Sequence, residues 1–176
     1  MMSLVYVLWM YVVLFAVIGM LRGWAKELLV AFSVIVALTL NHVLRKYVPM
    51  VQLLSDDSVS LFWVLSLVLM ALVFFGYQTV ALIPHLQSKA TREKLQDALF
   101  GIIVGGINGY LISGSLLFYL AQTNYEALPD VVLSPSPDVA GALQNLIGYL
   151  PPNLLGEPTI YFAVILCFVF VIVVYI

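Results

Sequence analysis

Residues 97–121 read DALFGIIVGGINGYLISGSLLFYLA. After Asp97 the stretch runs for 24 positions without a charge. A helix of that length, rising about 1.5 Å per residue, exceeds the roughly 30 Å hydrocarbon core of a bilayer. Asp97, Gly101, Gly105, Gly109 and Ser113 recur at every fourth residue. They form one small-residue stripe on one helix face, with an acid at its end. A glycine facing lipid gains nothing, whereas glycines at this spacing let a second backbone come close. The stripe therefore predicts a helix–helix contact, within the chain or with a second copy. Asn108 falls on the same face, and Ser115 lies nearby. Asn108 either hydrogen-bonds across the contact or lines a polar path, and glue between helices is the commoner role.

The rest of the chain has the same character. Of its 176 residues, 64% are hydrophobic and 9% charged, and the mean hydropathy is +1.11. Soluble domains carry about 25% charge, so a soluble enzyme and a disordered chain are both excluded as readings. A net charge of −2 without a basic cluster leaves no footprint for nucleic acid. One cysteine, Cys167, rules out an internal disulfide framework and a cysteine-based zinc site. The expected fold is all-α: a polytopic integral membrane protein with the lipid bilayer as its first partner. Five spans are predicted, at residues 1–21, 28–44, 59–83, 98–121 and 159–176. The second is the shortest, with a clean apolar run only over residues 28–40, and a re-entrant segment is its alternative. The fifth ends with the sequence at Ile176 and has no polar flank. That is expected either of a truncated sequence or of a chain that stops at the interface.

Lys and Arg set the orientation. Arg22, Lys26, Lys89, Arg92 and Lys94 fall on one side of five spans, and Arg45 and Lys46 on the other. The first side is predicted to be cytoplasmic, with the N-terminus outside and the C-terminus inside. In GMLRGWAKE, residues 19–27, Gly19 and Gly23 form a second close-approach pair. Arg22, Lys26, Glu27 and Asp97 are read as charges of the inner interface, with Trp24 in the aromatic belt. They act as a topological anchor or as a charged inner mouth. Glu27 is expected to pair with a basic residue of the link that precedes residue 98. In that link, Ser88 or Thr91 is a candidate cap, with Lys89–Glu93 and Lys94–Asp97 as candidate pairs.

Residues 122–158 hold Glu126, Asp130, Asp138, Glu157 and six prolines, with no basic residue. Ser136-Pro137 is a helix start signal. Val139, Ala142, Leu143, Leu146, Ile147 and Leu150 follow at helical spacing opposite Gly141, Gln144, Asn145 and Gly148. This predicts a short external amphipathic helix, ended by Pro151 and Pro152. It either lies on the outer interface or tucks between spans.

Enzyme signatures are missing from the places that chemistry needs them. His42 and His85 fall on opposite sides and cannot share a metal. Ser113 and Ser115 have no histidine at their depth to activate them. No acid or base sits in the middle of a predicted span, which argues against an ion-coupled pump. No cofactor, metal site or catalytic residue is expected.

Two motifs together resemble the bacterial colicin V production protein family. One is the RG-x-x-x-E turn of Arg22, Gly23 and Glu27; the other is the D-x-x-x-G-x-x-x-G-x-x-x-G run of Asp97, Gly101, Gly105 and Gly109. The resemblance covers roughly residues 5–121. It implies an inner-membrane protein of about four spans, required for production or release of a peptide antibiotic. Related four-span domains fused to a periplasmic serine protease imply that the module can also act as an anchor. This chain carries Asn108 where many relatives carry Arg, and its fifth span lies outside the family pattern. Residues 1–121 are thus expected to form the family's membrane domain, 122–158 an acidic external loop and 159–176 the added span. The expected role is toxin production or export and envelope homeostasis, and the Gly/Asn face with the acidic outer loop would permit a pore-like oligomer. The alternative is a non-conducting scaffold that binds another membrane protein through the glycine face.

Overall fold

The computed structural model describes residues 4–54, 58–79, 91–129 and 137–175, and eight helices lie within them. They are α1 (Leu4–Arg22), α2 (Trp24–Tyr47), α3 (Pro49–Leu53), α4 (Ser58–Thr79), α5 (Thr91–Gln122), α6 (Pro137–Ile147), α7 (Pro151–Leu154) and α8 (Thr159–Tyr175). Pro84, His85, Ser88, Lys89, Asp130 and Ser136 lie outside the described residues, as do the side chains of Arg92, Glu93, Asp138, Val139 and Ala142.

Among the described residues, four helices are long and apolar enough to cross a membrane: Leu4–Arg22, Trp24–Tyr47, Ser58–Gln78 and Lys94–Gln122. The second corrects the short segment expected from sequence. It gains length at both ends because its polar residues are satisfied inside the protein. Glu27 and Asn41 are buried, with hydrogen-bond partners on α5 and α4.

Contacts along the helices give their directions. Gly19 of α1 meets Gly101 and Gly105 of α5, while Phe15 meets Gly105 and Gly109, so α1 and α5 are antiparallel. Trp24, Glu27 and Asn41 of α2 bond in turn to Asp97, Asn108 and Tyr119, so α2 runs parallel to α5. Gly76 of α4 lies on Ser33 of α2, while the Leu65 carbonyl lies at Asn41, so α4 is antiparallel to α2. Val30, Val34, Leu65 and Leu69 are fully buried in this arrangement. Trp9, Leu14, Leu67, Phe74, Phe75 and Ile103 are exposed, which suits a bundle whose solvent is hydrocarbon.

The later helices lean on this bundle. Along α6, Leu143 is buried while Gln144 and Asn145 are exposed. The helix ends at Ile147, and Pro151 does not stop it. Proline instead occupies the first turn of α7, where its missing N–H costs nothing. Pro151 packs on Gly114, and the Tyr110 hydroxyl donates to the Tyr149 carbonyl, so this segment lies on the flank of α5. α8 then runs back along α2: Phe168 packs edge-on against Phe32, and Glu157 reaches His42.

Candidate functional site

The α1–α5 contact is a backbone-to-backbone seam. A Cβ at Gly19 would lie 2.1 Å from the Gly101 carbonyl oxygen, and one at Gly105 would lie 2.4 Å from that of Phe15. A Cβ at Gly109 would lie 2.8 Å from the Phe15 Cβ. α1 of the same chain therefore fills the stripe. Ser113 continues its spacing, but the Ser113 hydroxyl bonds back to the Gly109 carbonyl of its own helix at 2.5 Å.

Gly23 is the whole link between α1 and α2. Its φ of 87° lies in the left-handed region that favours glycine. A side chain there would also strike the Asp97 carboxylate, which lies 2.4 Å from where the first added carbon would sit. Asp97 accepts the Trp24 N–H at 3.1 Å. It therefore caps α2 from a different helix, since Gly23 has no side chain to satisfy that first-turn donor. No Lys94–Asp97 ion pair forms among the described residues.

Glu27 departs most from the sequence expectation. Among the described residues its partners are Arg22 and Asn108, while Lys89 and the Arg92 side chain of the link before residue 98 lie outside them. The Glu27 side chain is 0% exposed, and the Arg22 guanidinium lies 2.8 Å from Oε1. Asn108 Nδ2 donates to Glu27 Oε2 at 2.9 Å and to the Glu27 carbonyl at 2.8 Å. Arg22 also donates to the Tyr77 carbonyl at 3.3 Å and stacks over that ring, 4.2 Å from its centroid. Four helices, α1, α2, α4 and α5, thus contribute to an ion-pair cluster that sequence places at a membrane edge. Among the described residues, Asn108 Oδ1 is buried there without a hydrogen-bond partner. Lys26 is half-buried and has no ion-pair partner among the described residues.

The other end of the α2–α5 seam holds a second polar cluster. Asn41 Nδ2 donates to the Leu65 carbonyl and to the Tyr119 hydroxyl, each at 3.0 Å. Between the clusters the seam is apolar: Val30, Val34, Leu38 and Ile112 are all buried. Ser115 is buried in the same stretch, and its hydroxyl bonds to its own helix at Leu111. Among the described residues, one chain therefore has no continuous polar lining along this seam.

Glu157 fastens the start of α8 to the end of α2. It accepts from Lys46, His42 and Tyr161, and these hold its carboxyl down at about 2, against an ordinary 4.5. A depressed carboxyl contributes stability fully above the unfolded value and loses it as pH falls toward the folded one. Amide protection in residues 156–161, corrected for intrinsic exchange, is expected to fall between pH 4.5 and about 2 while α5 stays protected. Constant protection across that window would contradict the clamp.

The structure therefore brings Gly19, Gly23, Gly101, Gly105 and Gly109 to one seam, with Asp97 at its end. Arg22, Glu27 and Asn108 meet in the adjoining cluster. Sequence reasoning missed Asn41, Tyr119, Tyr77 and Gly114. The signal for Asn41 was an amide inside an apolar helix, four turns along the face that starts at Glu27. Among the described residues, no group of three or more His, Cys, Asp or Glu could hold a metal ion.

The family model described as colicin V production protein matches residues 5–134, which include α1 to α5, and α6 to α8 follow outside it. No curated protein and no solved structure matches the chain.

Proposed function

Since the chain belongs to the colicin V production protein family, we propose that it supports production or export of a peptide toxin, and envelope homeostasis, without catalysing a reaction. In this reading it sits in the bacterial inner membrane with five spans, the N-terminus outside and the C-terminus cytoplasmic. The antiparallel course of α8 along α2 supports the fifth span. Arg22, Lys26 and Lys94 gather at the Gly23 end, while Arg45 and Lys46 sit at the other, which supports the orientation.

The observation that carries a functional role is the buried Arg22–Glu27 pair with Asn108. Ionisable groups inside a membrane bundle are costly and mark function by default. The cluster gives the seam a polar end that differential contacts with a peptide, a partner or a second copy can reorganise. A conducted path would need the apolar stretch between the clusters to open, or a pore shared between copies. The alternative is a non-conducting scaffold, which that apolar stretch favours. Because α1 fills the glycine stripe, such a scaffold would meet its partner through another face.

Asn108→Leu tests the role. It removes both amide bonds to Glu27, at an expected stability loss of about 1–3 kcal/mol. Peptide-toxin release should fall in cells whose only copy carries this change, with the protein folded and at normal level in the membrane. Undiminished release with a folded variant would contradict a role for the cluster in export and leave the scaffold.

A further inference from the structure

A cavity of about 440 Å³ opens beyond the second polar cluster, between the last turns of α2, the end of α5 and the α7–α8 turn. Asn41 and Tyr119 are among its buried lining residues, with Leu38 and Ile160 as apolar wall, and Arg45 and Lys46 are its exposed cations. Two hydrogen-bonding capacities remain unused on the buried side. Asn41 is 2% exposed, and its Oδ1 has no hydrogen-bond partner among the described residues. The Tyr119 hydroxyl accepts from Asn41 and keeps its own hydrogen to donate. One acceptor beside one donor is the complement of a ligand hydroxyl. On the exposed side Glu157 offsets Lys46, while Arg45 has no ion-pair partner among the described residues. Among the described residues the cavity thus presents a guanidinium without a paired carboxylate, which suits a phosphate.

We propose that this cavity binds a phosphoglycerol headgroup, with the phosphate at Arg45 and a glycerol hydroxyl at Asn41 and Tyr119. Leu38 and Ile160 give an apolar wall along which an acyl chain can leave. Phosphatidylglycerol and free glycerol phosphate both present this chemistry.

Native mass spectrometry of the full chain, released from micelles holding equal phosphatidylglycerol and phosphatidylcholine, tests it. Phosphatidylglycerol should be retained over phosphatidylcholine by roughly tenfold, the scale of one charge-assisted hydrogen bond. Arg45→Gln changes an exposed side chain and should abolish that preference. Tyr119→Phe keeps the ring, and should lower retention by about threefold or more through loss of one hydroxyl donor. Displacement of the lipid by glycerol 1-phosphate would support the site and identify the headgroup alone as sufficient. Failure to displace it, with the lipid preference intact, would support the site and assign it to the membrane lipid. Equal retention of the two lipids would overturn the proposal, and so would a preference that survives both substitutions.

Discussion

Gly105→Leu should leave little folded protein. The first added carbon would lie 2.4 Å from the Phe15 carbonyl oxygen and 2.9 Å from the Gly19 Cα. Both obstacles are backbone, so no side chain can rotate out of the way. Overpacking against movable side chains typically costs about 1–3 kcal/mol; here the two helices must part, and a loss of about 3 kcal/mol or more is expected. The neighbouring glycine supplies the control. A Cβ at Gly106 would meet the Ala16 Cβ at 3.7 Å, which is ordinary contact. Gly106→Ala should therefore fold as well as the wild type, helped by up to about 1 kcal/mol of helix propensity. Thermal unfolding of the three proteins in one detergent checks this, and equal stability of Gly105→Leu and Gly106→Ala would refute the seam.

The second large effect is expected at Glu27. Glu27→Gln leaves the Arg22 guanidinium without its carboxylate in a site that shows Arg22 only 22% exposed. Breaking a buried pair on one side costs about 3–5 kcal/mol. The low end, about 3 kcal/mol, is expected because Arg22 keeps the Tyr77 carbonyl and ring. Joint replacement by Arg22→Met and Glu27→Met removes both charges and should recover most of that loss, since apolar substitutes of similar volume are often neutral. The cycle therefore separates a buried pair from a solvated one. Reversible unfolding in mixed micelles gives all the values needed. A single-variant loss below about 1 kcal/mol would mean that water screens the pair as it does at a surface.

These two sites differ in how far sequence could lead. The glycine stripe on α5 is a periodicity, and periodicity survives without a structure. Gly19 and Gly23 at the same spacing hinted at the partner helix. Glu27 gave the opposite impression, because acids beside a span usually flank it. Its burial depends on Tyr77 and Asn108, which are far away in sequence and arrive only through the register of α2 between α4 and α5. The second span looked too short for the same reason. Glu27, Asn41 and His42 count against a membrane segment in composition, while in the fold Glu27 and Asn41 find their partners inside it. Asn41 and Tyr119 could not be paired by eye, since nothing in either segment records which turn of one helix lies beside which turn of the other. Pro151 was legible as a boundary, yet the same residue that ends one helix can open the next.

The glycine seam requires that α1 occupy the groove of its own α5. Ala16→Cys with Gly106→Cys, in a chain that also carries Cys167→Ser, tests this most directly. The 3.7 Å separation of their Cβ positions matches that of a disulfide, about 3.8 Å. Mild oxidation in membranes should join the two cysteines within one chain, giving a species of monomer mass with no free thiol. A disulfide-linked dimer, or two thiols that stay free, would contradict this packing.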